Sequence, residues 1–183
     1  MSYDYKPLPV RPAPELSGSG SAADVLIVGA GPIGLAAAID LALQGIRSTV
    51  LDPKTQVSVG SRAICWAKRT LEIFDRLGVG DRMVAKGVTW QVGRIYHGAD
   101  EVYSFDLLPE QDHKMPAFIN LQQYYVEEYL IDRCADFPGL IDLRWGHAVT
   151  GITQGAERVT VTVDSPEGAY DLSAPWALAC DGA

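Results

Sequence analysis

Several patterns are missing from this sequence, and each absence argues against a class of protein. Three cysteines and three histidines are scattered over 183 residues without a CxxC pair or any ligand spacing, so we expect no disulfide framework and no metal site. Apolar runs stay well below the ~18 residues that a membrane helix needs. The 15 Lys and Arg are outnumbered by 23 Asp and Glu, a net charge of −8, and no basic run occurs. We therefore expect neither a nucleic-acid partner nor a membrane partner.

The N-terminus lacks the basic stretch and apolar core of a secretory signal, so we expect a cytoplasmic protein. It contains four prolines within the first 14 residues and a Ser-Gly run over 17–21. Such a segment has little apolar surface to bury, and burial therefore does not compensate for the entropy lost on ordering it. We predict that residues 1–23 form a flexible extension without chemistry of its own.

What the sequence does contain is a nucleotide-binding pattern over residues 24–52. A short β-branched run predicts a buried strand, an Ala- and Leu-rich segment predicts a helix, and a second apolar run predicts another strand. These elements are expected over 25–28, 32–44 and 48–52. Strand, helix and strand in this order are typical of a parallel α/β sheet.

Three glycines at GxGxxG spacing separate the first strand from the helix: Gly29, Gly31 and Gly34. Such glycines permit a tight turn, let the backbone approach a pyrophosphate, and let the helix pack closely on the strand, while the helix N-terminus attracts the phosphates. Asp52 follows roughly 20 residues later, where a carboxylate accepts hydrogen bonds from an adenosine ribose and repels a 2′-phosphate. The pattern predicts a bound dinucleotide, either FAD or NAD rather than NADP.

The rest of the chain predicts a continuation of the α/β fold together with antiparallel strands. A period-two pattern over 88–107 predicts a hairpin that belongs to a second sheet, because an antiparallel insertion does not fit a parallel unit. The other elements are expected as helices over 67–77 and 124–135, a third parallel strand over 140–145, a meander over 149–172 and a last strand over 176–180. Arg62 precedes the first of these helices, where its planar fork can reach a diphosphate; a solvated loop cation is the alternative interpretation.

Four segments carry a resemblance to a known family. They are Gly29-Ala30-Gly31-Pro32-Ile33-Gly34 with Asp52; Ser61-Arg62-Ala63 with Arg69-Thr70-Leu71-Glu72 and Leu77-Gly78; Gln123 with Glu127 and Leu130; and Leu178-Ala179-Cys180-Asp181-Gly182-Ala183. With these segments, residues 24–183 resemble the flavoprotein aromatic hydroxylases, the single-component FAD-dependent monooxygenases that include para-hydroxybenzoate hydroxylase and the 3-(3-hydroxyphenyl)propionate hydroxylases.

The resemblance implies a Rossmann-like, glutathione-reductase-type FAD-binding fold over 24–183, with a parallel sheet, a β-meander and part of a second antiparallel sheet. A substrate-domain sheet would start over 86–118. Arg62 falls on the arginine that contacts the FAD diphosphate region, and Gln123 falls on the glutamine at the flavin side, with Gln122 as its near rival. The implied cofactor-binding residues are Gly29, Gly31, Pro32, Ile33, Gly34, Asp52, Arg62, Gln123, Asp181 and Gly182.

The implied activity is that of an oxidoreductase. A complete member of the family takes hydride from NAD(P)H to FAD and hydroxylates a phenolic or other aromatic substrate with O2 through a C4a-hydroperoxyflavin, so the flavin makes the bonds and no catalytic acid, base or nucleophile is assigned here. Asp181 and Gly182 resemble the start of an Asp-Gly fingerprint that serves both FAD binding and NAD(P)H use.

Part of the family pattern has no counterpart in this sequence. The Gly-Asp fingerprint whose acid binds the flavin ribityl chain is missing, as is the C-terminal half of the substrate domain. We therefore expect an N-terminal portion that is inactive alone, binds FAD weakly, and self-associates through its incomplete sheet. An FAD-dependent dehydrogenase or reductase and a non-catalytic flavin-binding module stay open as alternatives.

Overall fold

The computed structural model of the chain describes residues 3–20, 22–60, 62–110 and 112–182. Two compact units are present: unit 1 comprises Met1–Val59 and Leu130–Ala183, and unit 2 comprises Gly60–Tyr129. Within the described ranges, every helix is too short or too polar to cross a membrane. The domain boundary expected at residue 24 and the substrate-domain sheet expected over 86–118 stay predictions.

The described residues form strands and helices in the following order. They are a short 3₁₀ helix (Pro14–Ser17), β1 (Val25–Val28), α1 (Pro32–Leu43), β2 (Ser48–Asp52), β3 (Cys65–Ala67), α2 (Lys68–Arg76), α3 (Gly80–Lys86), β4 (Val88–Trp90), β5 (Val92–His97), β6 (Asp100–Asp106), β7 (Phe118–Asn120), α4 (Gln123–Cys134), β8 (Ile141–Trp145), β9 (Ala148–Gln154), β10 (Val159–Ser165), β11 (Gly168–Ala174) and β12 (Trp176–Ala179). This mixture of a βαβ start and a strand-rich end confirms the predicted α/β class.

A four-stranded parallel sheet forms the centre of unit 1. Its strand order is β12-β1-β2-β8, and all three neighbouring pairs are parallel. The apolar side chains of β1 and β2 are almost wholly buried, as expected for strands covered on both faces. The predicted third parallel strand and the predicted last strand are confirmed as β8 and β12. Since all four strands run the same way, their carboxyl ends meet at one edge of the sheet.

Helix α1 crosses from β1 to β2 over the positions that the sequence predicts. Pro32 stands at its start, where the fixed φ of proline suits a helix and the missing N–H has no intrahelical partner anyway. The buried face contains Leu35, Ala38, Ile39 and Ala42. The helix stops because Gly45 adopts a left-handed φ of +76° just past its C-terminus.

The antiparallel meander β9-β10-β11 completes unit 1. Alternate residues of β10 and β11 point into a common core, which they share with the central sheet. This core consists of Ala13, Leu26, Leu51, Val161, Val163, Tyr170, Leu172 and Ala174. The predicted meander is confirmed, and the period-two pattern of its strands explains why one face is apolar.

Unit 2 differs from the prediction in its strand pairing. The pattern over 88–107 predicted one hairpin, but β4 pairs with β7 in the antiparallel sheet β3-β7-β4, and only β5 and β6 form a hairpin, at a turn where Gly98 has a φ of +62°. Trp90 of β4 stacks on Phe118 of β7 with ring centroids 4.9 Å apart. Periodicity shows that a segment is a strand but not which strand it pairs with, so this aromatic contact was not predictable. Helix α3 was not predicted either.

The described part of the segment predicted as a flexible extension makes specific contacts with the rest of unit 1. Ala13 is 3% exposed, the Leu8 amide donates to the Thr55 carbonyl at 2.7 Å, and Glu15 forms an ion pair with the buried Arg144. Composition does not reveal which buried partner a single side chain will meet, so these contacts were not predictable, and the flexible extension over 1–23 stays a prediction. Residues 1, 2 and 21 of the segment lie outside the described residues.

We predict that the three thiols differ widely in reactivity. Burial raises the pKa of Cys134 to about 12, with the charge of Arg133 opposing the shift. Burial and the charge of Asp181 also raise the pKa of Cys180, while Cys65 is exposed. Because only the thiolate attacks iodoacetamide, we expect Cys65 to be alkylated at about pH 8 at least about 100-fold faster than Cys134.

Mass spectrometry of the folded protein over time measures these rates. Alkylation in denaturant is the control, and all three cysteines should then react at similar rates. Equal rates for Cys65 and Cys134 in the folded protein would contradict the structure.

Candidate active site at the carboxyl edge of the parallel sheet

Most of the predicted site residues lie at the carboxyl ends of three neighbouring strands of unit 1. The β1–α1 turn, the end of β2 and the end of β12 meet there, because β1 pairs with both of the other strands. The residues gathered at this edge are Gly29, Gly31, Pro32, Ile33, Gly34, Asp52, Asp181 and Gly182. In open α/β sheets, this edge is where ligands bind.

The turn after β1 requires a glycine at position 29. Gly29 has a φ of +100°, and its amide donates to the Leu51 carbonyl at 2.8 Å. A Cβ atom at this position would lie 2.5 Å from the carbonyl oxygen of Cys180. The backbone at the carboxyl end of β12 therefore approaches the turn so closely that no side chain fits between them.

The other two fingerprint glycines differ in their surroundings. A Cβ atom on Gly34 would lie 1.9 Å from the Gly29 carbonyl oxygen, so the first turn of α1 packs directly against the backbone of the turn. Gly31 has an ordinary φ of −77°, and a Cβ atom there would meet nothing within 4 Å. Space next to the backbone of Gly31 is therefore open to a ligand.

The start of α1 presents polar backbone groups to this open space. Among the described residues, no side chain caps the helix: the N-cap is Gly31 and the first helical residue is Pro32. The N–H groups of the first turn and the positive end of the helix dipole thus remain available to an anion. Ile33, 70% exposed, is an apolar side chain beside the same opening.

Asp52 faces the glycine turn from the end of β2. Its carboxylate is buried, with Oδ2 accepting from the Ala30 amide at 2.7 Å and Oδ1 accepting from the Lys54 amide at 2.8 Å. Each carboxylate oxygen has a further lone pair with which to accept a hydrogen bond. The sequence pattern did not single out Ala30, although its place between two fingerprint glycines was the available signal.

The Asp-Gly pair after β12 lies next to the same turn. The Cys180 amide donates to the Val28 carbonyl at 2.7 Å, and the Cα of Asp181 would lie 2.8 Å from a Cβ atom on Gly29. Gly182 has a φ of +97°, which favours glycine, and both residues are exposed. Asp181 therefore adds a second carboxylate at this edge.

Arg62 and Gln123 belong to unit 2. Arg62 is exposed, and the amide nitrogen of Gln123 donates to Oε1 of the buried Glu127 at 2.7 Å. Gln122, the rival of Gln123, is exposed. Their contacts with a cofactor stay predictions, and two flanking residues of the resemblance, Ser61 and Ala183, lie outside the described residues.

The geometry fits a dinucleotide and offers little else chemically. An uncapped helix start and an open glycine backbone suit a diphosphate, and a carboxylate fixed beside them suits the hydroxyl groups of a ribose. A phosphate on that ribose would be repelled by Asp52. The site therefore supplies groups that can bind a dinucleotide.

Comparison with known proteins places these features in a family. A family model described as FAD binding domain matches residues 22–183. The chain is 34% identical over 159 residues to a 12-dehydrotetracycline 5-monooxygenase/anhydrotetracycline 6-monooxygenase of Streptomyces rimosus, covering 87% of this chain and 30% of that protein. It is 31% identical over 162 residues to the para-nitrophenol 4-monooxygenase of Pseudomonas sp. strain WBC-3, covering 87% and 40%.

A solved structure shows the same likeness in three dimensions. The p-nitrophenol 4-monooxygenase PnpA of Pseudomonas putida DLL-E4 superposes with a TM-score of 0.82 at 30% identity, over 90% of this chain and 42% of that one. The sequence resemblance to flavin-dependent hydroxylases is thereby confirmed. The chain spans 30% to 40% of the length of the two curated relatives named above.

We predict that alanine destabilises the protein at one fingerprint glycine and has little effect on stability at another. Gly34→Ala forces a methyl group into the Gly29 carbonyl, so we expect the free energy of unfolding to fall by about 2 to 3 kcal/mol. Gly31→Ala is the matched control, and its methyl group enters open space, so stability should change by less than about 0.5 kcal/mol.

Urea denaturation followed by tryptophan fluorescence measures both changes. A Gly34→Ala protein as stable as the wild type would show that α1 does not pack on the turn in this way.

Proposed function

Because this chain belongs to the FAD binding domain family, we propose that it is the FAD-binding part of a flavin-dependent monooxygenase that hydroxylates an aromatic compound. The observation that carries the proposal is the position of Asp52, whose carboxylate accepts the Ala30 amide at the mouth of the glycine turn. In the proposed complex, Asp52 accepts hydrogen bonds from a ribose, and the uncapped start of α1 binds the diphosphate attached to it.

Hydroxylation is proposed for the whole protein on the basis of its relatives. The relatives named above are monooxygenases of tetracycline intermediates or of para-nitrophenol, and both kinds of substrate are aromatic. These names favour a monooxygenase over the alternatives of a dehydrogenase, a reductase or a non-catalytic module. The substrate, the cytoplasmic location and the use of NAD(P)H belong to the proposal as well.

The residues of this chain bind and orient the cofactor. The open backbone at Gly31 and the first N–H groups of α1 hold the diphosphate, and Asp52 accepts hydrogen bonds from the adenosine ribose. The family resemblance implies a cofactor role for Arg62, as a planar cation for the diphosphate, and for Gln123, at the flavin side. When bound, FAD supplies the redox chemistry with NAD(P)H and O2. We assign no catalytic acid, base or nucleophile to these residues.

Titration with FAD tests the proposal. We expect the 183-residue chain to bind FAD weakly, and Asp52→Asn to raise the dissociation constant about tenfold, because the variant loses charge-assisted hydrogen bonds to the ribose. Asp164→Asn, which changes an exposed carboxylate on β10, is the matched control and should leave the constant unchanged. Equilibrium dialysis measures all three proteins.

Two results would contradict the proposal. One is wild-type chain that does not bind FAD at millimolar concentration, and the other is an Asp52→Asn variant that binds as well as the wild type. We also infer that this polypeptide alone does not complete a turnover, so NAD(P)H consumption that depends on an added phenol, with hydroxylated product, would refute that part.

We further propose that the isolated chain self-associates through the outer edge of β12. This strand is an edge strand of the parallel sheet, and its Trp176 and Leu178 side chains are 70% and 39% exposed. An exposed apolar edge strand is a ready template for pairing with a second copy. We expect a sedimentation coefficient that rises with concentration, and a monomeric Leu178→Lys variant. Leu43→Lys on α1 is the control, and a wild type that stays monomeric would overturn the proposal.

A further inference from the structure

Residues 8–17, here called the N-terminal strap, lie outside the part of the chain that matches the family. The match begins at residue 22, yet the strap packs on the rest of unit 1. Ala13 is buried in the core beneath the meander, and the strap ends in the 3₁₀ helix. The predicted flexible extension therefore contains a segment whose contacts need an explanation of their own.

A buried ion pair latches the strap to β8. Arg144 is 3% exposed, and its guanidinium donates to both carboxylate oxygens of Glu15, at 2.7 and 3.3 Å. It also donates to Oδ2 of Asp142 at 2.7 Å. Burial alone would lower the pKa of Arg144, but the hydrogen bonds to Glu15, Tyr170 and Asp142 outweigh burial and raise it. Arg144 therefore stays charged, and loss of Glu15 would remove the more deeply buried of its two carboxylate partners.

A second chain of hydrogen bonds joins the same arginine to the strap backbone. Arg144 donates to the Tyr170 hydroxyl at 3.2 Å, and that hydroxyl lies 2.7 Å from Nδ1 of His147. Nε2 of His147 lies 3.0 Å from the Arg11 carbonyl oxygen. Because a carbonyl oxygen can only accept, His147 donates from Nε2 to Arg11. Each polar atom of the network thus has a complementary partner.

The strap and the end of β8 together hold the loop that follows Asp52. The Leu8 amide donates to the Thr55 carbonyl at 2.7 Å, the Gly146 amide to the Lys54 carbonyl at 3.1 Å, and the His147 amide to the Asp52 carbonyl at 3.0 Å. The loop in turn donates its Lys54 amide to the Asp52 carboxylate. In the parallel register, Arg144 stands opposite Leu51, one residue before Asp52.

We infer that Glu15, acting through Arg144, is a positioning residue for the adenosine end of the cofactor site: the strap fixes the loop over 53–55, and this loop orients the carboxylate of Asp52. The inference rests on the proposed function, in which Asp52 binds the ribose. No covalent step is involved. The fingerprint residues supply the contacts to the cofactor, and the strap holds one of them in place.

Hydrogen exchange without any cofactor tests the first half of the inference. In Glu15→Gln, we expect the Lys54 amide to exchange about tenfold faster, because its protection requires the latched strap. The Gly155 amide in the β9–β10 turn, which donates to the Arg158 carbonyl at 2.8 Å, should exchange at the wild-type rate. An unchanged rate at Lys54 would overturn the inference.

Cofactor binding tests the second half. We expect the dissociation constant for FAD to rise about tenfold in Glu15→Gln under conditions where the variant is fully folded. A purely structural role would lower stability but leave the affinity of the folded protein unchanged, so that result would also overturn the inference. Glu157→Gln, at an exposed position in the β9–β10 turn, is the matched control and should alter neither measurement.

A second variant guards against misfolding caused by an unpaired buried charge. Glu15→Gln combined with Arg144→Met removes both charges of the ion pair, so no unpaired charge is left buried and the variant should fold without the latch. We expect the same fast exchange at Lys54 and the same weak FAD binding, and wild-type values for either would overturn the inference. If the wild-type chain itself binds no FAD, the proposed function fails, and the exchange measurements still decide whether the strap holds the loop.

Discussion

The candidate site depends on one hydrogen bond, from the Ala30 amide to the Asp52 carboxylate. It joins the glycine turn after β1 to the end of β2 at a distance of 2.7 Å. An ionised acceptor makes such a bond shorter and stronger than a neutral one, and burial strengthens it further. The bond therefore fixes the acid beside the glycine turn and the start of α1, where we propose that the cofactor binds.

Close backbone packing around this bond explains the glycines. Gly29 lies directly against the backbone at the end of β12, and Gly34 lies directly against the glycine turn. A side chain at Gly29 would clash with the Cys180 carbonyl, and one at Gly34 would clash with the Gly29 carbonyl. Gly31 has open space instead. The same three residue identities thus serve two physical purposes: two of them allow the fold to close, and the third leaves room for a ligand.

The N-terminal strap is held by a buried ion pair that its amino-acid composition does not predict. Arg144 lies in β8 and is buried, so it needs carboxylate partners in the low-dielectric interior. Glu15 provides one from 129 positions away in the chain. A charged residue within the run Leu143 to Trp145 was a signal in the sequence that a buried partner must exist, but nothing local identified Glu15 as that partner.

The sequence alone determined the βαβ unit with its glycine turn and acid, the further parallel strand β8, the meander, and the resemblance to flavin-dependent hydroxylases. These features depend on local patterns: periodicity, glycine at positions of positive φ or close approach, and a carboxylate at a strand end. Only the tertiary structure decided that β4 pairs with β7, that Ala30 binds Asp52, and that Glu15 meets Arg144. Each of these contacts joins residues far apart in the chain, and their pairing follows from how the folded elements pack and not from any pattern within one segment.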